Sequence, residues 1–119
     1  EVPQGILDFC AERGVKCETH ADLSEACQSA QVLYVTRVQK ERFETEEAYE
    51  AVKGSYVVDK EFMDSKAPKD MIVMHPLPRV DEIATDVDKD PRAAYFRQME
   101  NGMYVRMALL ALLLGKRSP

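Results

Sequence analysis

The chain has 119 residues, 45% of them hydrophobic and 31% charged, with a net charge of −5 at neutral pH. That composition suits one soluble globular domain and is short for an enzyme with a closed active-site cleft. The acidic balance speaks against nucleic acid or an anionic membrane as the main partner. The longest apolar run, residues 107–114, is well below the roughly 20 residues a membrane helix needs. No signal peptide is expected. The opening Glu1-Val2-Pro3 lacks an initiator methionine, as in a processed chain or a fragment. The three cysteines, Cys10, Cys17 and Cys27, form no C-x-x-C and read as reduced core thiols of a reducing compartment.

Residues 3–13 predict a helix, with Ile6, Leu7 and Cys10 on one face, Pro3 in its first turn and Gly14 as its stop. Residues 15–19 alternate apolar and polar side chains, the period of a strand. Asp22 is placed to cap a short helix to about Ser29, burying Leu23, Ala26 and Cys27. Val32-Leu-Tyr-Val35 is a continuous β-rich run, as in a strand covered on both faces. Thr45 is the expected cap of the next helix, with Glu46 and Glu47 in the first turn, Ala48, Tyr49 and Val52 inward and Gly54 at its end. Tyr56-Val-Val58 reads as a third strand, and Asp59 as the cap of a helix through about Lys66.

Met71-Ile-Val-Met74 reads as the fourth strand. Asp90-Pro91 predicts the start of a long helix, with aspartate as cap and proline at the first helical position. That helix is expected to reach about Leu114 and stop at Gly115, with Asn101-Gly102 as a candidate kink. Its apolar residues go nearly all the way round, so it needs cover on most sides. The β-α alternation indicates an α/β fold: a doubly wound, Rossmann-like parallel sheet with helices on both faces and a long C-terminal helix.

Two strands run into unusual loops. After residues 71–74 comes His75-Pro-Leu-Pro-Arg-Val-Asp-Glu-Ile83. Pro76 and Pro78 each fix φ and remove a backbone donor, and they push His75 and Leu77 toward extended geometry. The carbonyls of residues 75–77 are therefore hard to satisfy within a sheet. Loops at the carboxyl ends of strands are where open α/β sheets bind ligands. Arg79 adds a permanent positive charge. Taken alone, the loop fits a Pro-stiffened connection without a ligand equally well.

After residues 32–35 comes Thr36-Arg-Val-Gln-Lys-Glu-Arg42, seven residues with four charges and a glutamine. Arg37 offers a planar fork that suits a carboxylate. Gln39, in the same alternation phase, offers an amide donor and an acceptor. Glu41 is placed either to hold Arg37 or to pair with it on the surface. Alone, this loop also fits a solvated ion network. Both loops lie on one carboxyl edge of a doubly wound sheet, which favours a shared site.

Other motifs carry less. Asp86-Val-Asp88-Lys-Asp90 resembles the start of a calcium loop, but Pro91 stands where that loop needs glycine and Arg97 where it needs glutamate. His20 has no partner motif. His75 is open to two readings, a general base or a hydrogen-bonded structural histidine, the second preferred. No G-x-G phosphate loop, H-E-x-x-H or G-x-S-x-G occurs, and nothing argues for a metal or an organic cofactor.

Residues 33–42, residues 75–83, and Ala94-Tyr-Phe-Arg-Gln98 followed by residues 101–110 closely resemble the catalytic chain of the aspartate carbamoyltransferases. The likeness runs nearly end to end and in order. His75-Pro-Leu-Pro separates it from the ornithine branch, which typically has cysteine in place of Pro76. The resemblance covers about the last two-fifths of a family chain. It implies that residues 1–119 are the C-terminal part of the aspartate-binding domain, with the helix at about 103–115 packing on an absent carbamoyl-phosphate domain.

The activity implied is transfer of the carbamoyl group of carbamoyl phosphate to L-aspartate in pyrimidine biosynthesis. No cofactor or metal is implied, and the setting is a cytoplasmic homotrimer. Carried over by position, Arg37 and Gln39 would hold aspartate, and Pro76 and Leu77 would turn carbonyls to the carbamoyl amino group. Glu41, Arg42, Pro78 and Arg79 would support them. The phosphate-binding loop and the other residues that hold carbamoyl phosphate in the family are missing, so the chain alone is expected to be inactive. Two other readings are kept: a non-catalytic interaction module using the final helix, and a related transcarbamoylase with another amino acid acceptor.

Overall fold

The computed structural model of the protein describes residues 2–54 and 56–115. Two strands form its parallel sheet, β1 (Val32–Tyr34) and β2 (Ile72–Met74), with Leu33 opposite Val73. Three short helices lie between or beside them: α2 (Leu23–Cys27), α3 (Glu46–Glu50) and α4 (Lys60–Ser65). The chain starts with α1 (Gln4–Glu12) and ends with the long α5 (Tyr95–Leu113). Short 3₁₀ segments at residues 40–42 and 85–89 punctuate the two long loops. No helix among the described residues is long and apolar enough to cross a membrane.

Three of the four side-chain caps read from the sequence are present. Asp22 Oδ1 accepts from the Glu25 N–H at 3.0 Å, Thr45 Oγ1 from Ala48 at 3.2 Å and Asp59 Oδ1 from Phe62 at 2.8 Å. Each satisfies one orphan donor of a first turn. Gly115, at φ 71, takes up the left-handed conformation that ends α5. Ala26 and Ala48 are exposed rather than inward-facing, because α2 and α3 each present little more than one turn to the core.

Three sequence expectations are corrected. Residues 15–19 are exposed coil, not a strand: their alternation has no partner to pair with among the described residues. Residues 56–58 contribute only a parallel bridge, Val58 to Ile83, built from the Val58 N–H on Glu82 O and the Ala84 N–H on Val58 O, both 2.9 Å. The long helix begins at Tyr95, not at Asp90-Pro91. Asp90 is drawn off by Arg92, whose backbone N–H and Nε each reach Oδ1 at 2.9 Å. Residues 92–94 then pair with the free edge of β2, where the Val73 N–H donates to Arg92 O and the Ala94 N–H to Val73 O, both at 2.8 Å. Helix α5 runs without interruption through Asn101-Gly102.

β2 is thus bonded on both edges, and its Val73 is fully buried. Around it pack Val35, Val58, Phe62, Met63, Met71, Ile83, Val87 and Tyr95. The opposite face of the sheet is open: Val32 and Tyr34 are about half exposed and Ile72 is also exposed. Parallel sheets are ordinarily covered on both faces. Along α5, Met103, Tyr104, Met107, Leu110, Leu112 and Leu113 are all exposed, Leu113 to 83%. The Cα radius of gyration is 17.4 Å, against roughly 13.5 Å for a compact domain of this length. The described chain therefore has a dense centre beside β2 and large apolar faces turned outward.

Candidate functional site

The exits of β1 and β2 lie side by side, because the Val35 N–H donates to Met74 O at 2.9 Å and carries the pairing one residue past β1. Tyr56 then pins the first loop, its hydroxyl donating to Thr36 O at 2.6 Å. Beyond it Arg37 lays its fork on Glu41, with Nη1 donating to Oε2 at 3.1 Å and Nη2 to Oε1. That bidentate pairing raises the pKa of the Arg37 guanidinium and holds the Glu41 carboxyl below the usual range. Gln39 is half-buried in extended backbone just before the 3₁₀ turn, and its carbonyl accepts from the Arg42 N–H at 3.0 Å. Arg42 is exposed.

The second loop is clamped from inside. His75 is 1% exposed and Glu82 7%. Nε2 of His75 lies 2.7 Å from Glu82 Oε1, and Nδ1 accepts the Leu77 N–H at 2.8 Å. The other oxygen of Glu82 accepts the N–H groups of Val80 and Asp81, each at 3.2 Å. Burial pushes the Glu82 carboxyl up, but these backbone donors and His75 outweigh it, and its pKa lies below the ordinary value. The His75 N–H donates to Gln98 Oε1 at 2.9 Å, and Gln98 Nε2 donates to Tyr34 Oη at 3.0 Å, tying the loop to β1 and α5.

Pro76 and Pro78 are exposed and Leu77 is half-buried. The Leu77–Pro78 bond is cis, and Leu77 has φ 43, in the left-handed region rather than the extended geometry expected of a residue before proline. For a residue with a branched side chain that conformation costs on the order of 1–3 kcal/mol and persists where the surroundings over-determine it. Such residues concentrate at ligand clamps.

Arg79 turns away from the first loop. Nη2 donates to Asp88 Oδ2 at 2.7 Å, Nη1 pairs with Oδ1, and the guanidinium lies 5.5 Å from the ring of buried Tyr95. The Tyr95 hydroxyl donates to Asp88 Oδ1 at 2.6 Å. Arg79, then Tyr95, lower the Asp88 pKa against its partial burial, while burial and Asp88 push Tyr95 up to about 12. The charge of Arg79 is thus spent on holding the loop's far end.

Between the two loops lies a crevice lined by Arg37, Val38, Tyr49 and Tyr56 on one side and residues 80–82 on the other. Its volume is about 30 Å³, room for a water or two, so an amino acid needs the rim to part. A hollow of about 430 Å³ opens on the other side of Tyr56, between residues 20–26 and the end of β1. Among the described residues its one carboxylate, Asp22, caps α2, and no lysine or arginine lines it, which makes it a poor seat for a dianion. The sequence pointed to Arg37 and to the loop after β2. It did not point to Tyr56, Glu82, Gln98, Asp88 or Tyr95, whose roles depend on partners 7 to 64 residues away.

The family model described as Aspartate/ornithine carbamoyltransferase, Asp/Orn binding domain matches residues 1–113. The chain belongs to this family. It is 57% identical over 115 residues to the multifunctional protein CAD of Squalus acanthias, covering 97% of this chain and 5% of that protein. The catalytic subunit of M. jannaschii aspartate transcarbamoylase superposes with a TM-score of 0.82 at 43% identity, over 98% of this chain and 38% of that one. Aspartate transcarbamoylase from Trypanosoma cruzi, solved with carbamoyl phosphate and aspartate, gives a TM-score of 0.77 at 47% identity, over 91% of this chain and 36% of that one. The chain therefore spans little more than a third of the solved relatives it matches, and these relatives share its Rossmann-like arrangement of parallel sheet and long C-terminal helix.

Proposed function

We propose that the chain supplies the aspartate-binding side of an aspartate carbamoyltransferase active site. In the reaction the amino nitrogen of L-aspartate attacks the carbonyl carbon of carbamoyl phosphate. The N–C bond forms, the C–O bond to phosphate breaks, and the nitrogen loses a proton, giving N-carbamoyl-L-aspartate and phosphate for pyrimidine biosynthesis. Arg37 takes a carboxylate through two hydrogen bonds, exchanging Glu41 for the ligand, and Gln39 orients the amino acid. The carbonyls of Pro76 and Leu77 face the carbamoyl amino group. Glu41 and Arg42 shape the first loop, and Pro78 and Arg79 stiffen the second. Holding two reactants in line in this way is worth roughly 7–11 kcal/mol.

The observation that carries this reading is the crevice shared by Arg37 and residues 80–82 at the carboxyl edge of the sheet, in a chain whose matched family binds aspartate or ornithine. The T. cruzi relative holding both substrates supports the choice of ligands. The carbamoyl-phosphate domain covers residues 103–115, the second half of α5 and its end, the complete enzyme is a cytoplasmic homotrimer, and the isolated chain is inactive.

The test joins this chain to the remainder of the M. jannaschii catalytic subunit, in place of the 38% it matches. The joined enzyme should form N-carbamoyl-L-aspartate while the 119-residue chain alone does not. Arg37→Ala should raise the KM for aspartate on the order of tenfold or more, the scale of losing a bidentate charged pair, with that for carbamoyl phosphate unchanged. Turnover by the isolated chain, or equal losses for both substrates, would refute the proposal.

A further inference from the structure

We infer that His75 and Glu82 act together as a positioning device for the carbonyls of Pro76 and Leu77, through an imidazole locked in one tautomer. The inference deepens the aspartate carbamoyltransferase reading and rests on it.

The tautomer follows from the donors around the ring. Nδ1 of His75 faces the Leu77 N–H at 2.8 Å and must accept it. A neutral imidazole that accepts at Nδ1 carries its hydrogen on Nε2. That hydrogen points at Glu82 Oε1, 2.7 Å away. A charged imidazolium would set a second hydrogen against the Leu77 N–H. Neither ring nitrogen is left to take a proton from a substrate, and the ring is 1% exposed. His75 is therefore not a general base.

Glu82 fixes the other end. Both of its oxygens act as acceptors, Oε1 from His75 and Oε2 from Val80 and Asp81. An amide in its place has one acceptor and one donor, so whichever way it turns a donor meets a donor. Only an ionised carboxylate serves all three neighbours. The clamp thus spans the whole turn, from residue 75 to residue 82, and is sealed from water.

The consequence lies between them. Pro76 and Pro78 have no backbone N–H, so Leu77 has the one donor in the tripeptide, and His75 holds it. Among the described residues the carbonyls of Pro76 and Leu77 accept no hydrogen bond. The tip offers acceptors and nothing else, and the direction of those acceptors is set by the plane of the imidazole. A guest bearing a neutral NH₂ group, such as a carbamoyl, fits that tip; a carboxylate or phosphate does not. His75 and Glu82 decide where the carbamoyl group points without touching it.

The test uses three variants. His75→Asn keeps an acceptor near the Nδ1 position, in the side-chain-to-residue-two-ahead geometry that asparagine adopts in turns, but loses Glu82. His75→Gln reaches toward Glu82 and loses the Leu77 bond. Glu82→Gln keeps the shape and replaces one acceptor by a donor. Imidazole ¹⁵N spectra of the 119-residue chain report the tautomer in the parent and in Glu82→Gln, and backbone amide spectra report whether each variant is folded. In the joined enzyme, His75→Gln and Glu82→Gln should each lower kcat about tenfold to a hundredfold, the cost of a misplaced reacting group. The KM for aspartate should stay within about threefold, the split expected when only transition-state contacts are lost. His75→Asn should recover most of the kcat.

Parent spectra showing hydrogen on Nδ1, or folded His75→Gln and Glu82→Gln variants with parental kcat, would overturn the inference while leaving the functional reading intact. A joined parent enzyme without activity would overturn both.

Discussion

Replacing Tyr95 by phenylalanine isolates one hydroxyl at the junction of the second loop and α5. The ring is fully buried and keeps its packing and its contact with Arg79 in the variant. What is lost is the hydrogen bond to Asp88 Oδ1 at 2.6 Å and the weaker contact with Arg79 at 3.3 Å. A hydrogen bond to a charged group contributes about 1.5–3 kcal/mol. The Asp88 side chain is 29% exposed, so water takes part of the hydroxyl's place and the lower end, about 1.5 kcal/mol, applies.

Urea unfolding of the chain should show it as a midpoint lowered by about 0.5–1.5 M at unchanged slope. The effect has a defined pH dependence. The Asp88 carboxyl lies below its ordinary value of 3.8 in the folded state, so its contribution is full above that value and fades as pH falls through the folded one. Tyr95 lies above its ordinary value of 10.0, at about 12. The folded state therefore resists ionising it, and as pH climbs from 10 toward 12 the parent should lose more stability than Tyr95→Phe, whose remaining alkaline loss comes from groups such as Tyr56 and Lys60. A variant as stable as the parent at pH 7, or one with the same alkaline limb, would refute the assignment of this triad as a fastening of the loop.

Four further outcomes are expected. Met63→Ala, at a core position 1% exposed, should destabilise the chain by about 2–5 kcal/mol in chemical denaturation. Leu113→Ala, 83% exposed on α5, should stay within about 0.5 kcal/mol. Replacing Leu110 and Leu113 by glutamate should reduce self-association of the isolated chain in sedimentation, because the apolar face of α5 is uncovered, and should weaken its joining to a carbamoyl-phosphate domain. Glu41→Gln should leave thermal stability unchanged, since an exposed ion pair adds little, yet change the KM for aspartate by altering the rest position of Arg37.

What could be read from the sequence was what neighbours in the chain decide. Asp22, Thr45 and Asp59 cap helices through a donor three residues on, so their role needs no tertiary context. β1 and β2 were legible as continuous apolar runs, and the rule that strand exits share one edge placed Arg37 beside the proline loop. What failed depended on distant partners. Asp90-Pro91 has the form of a helix start, but Arg92 claims the aspartate and Val73 claims the backbone of residues 92–94. Residues 15–19 alternate like a strand and pair with nothing described. The engagement of Arg79 by Asp88 and of His75 by Glu82 was equally hidden, since a charge read from sequence carries no direction.

The most direct test is a crystal structure of the joined enzyme with N-carbamoyl-L-aspartate and phosphate. One carboxylate of the product should lie on the fork of Arg37, with Glu41 displaced, and the carbamoyl NH₂ should point at the carbonyls of Pro76 and Leu77. A product bound elsewhere, or one that leaves Arg37 on Glu41 and the proline loop untouched, would contradict the account.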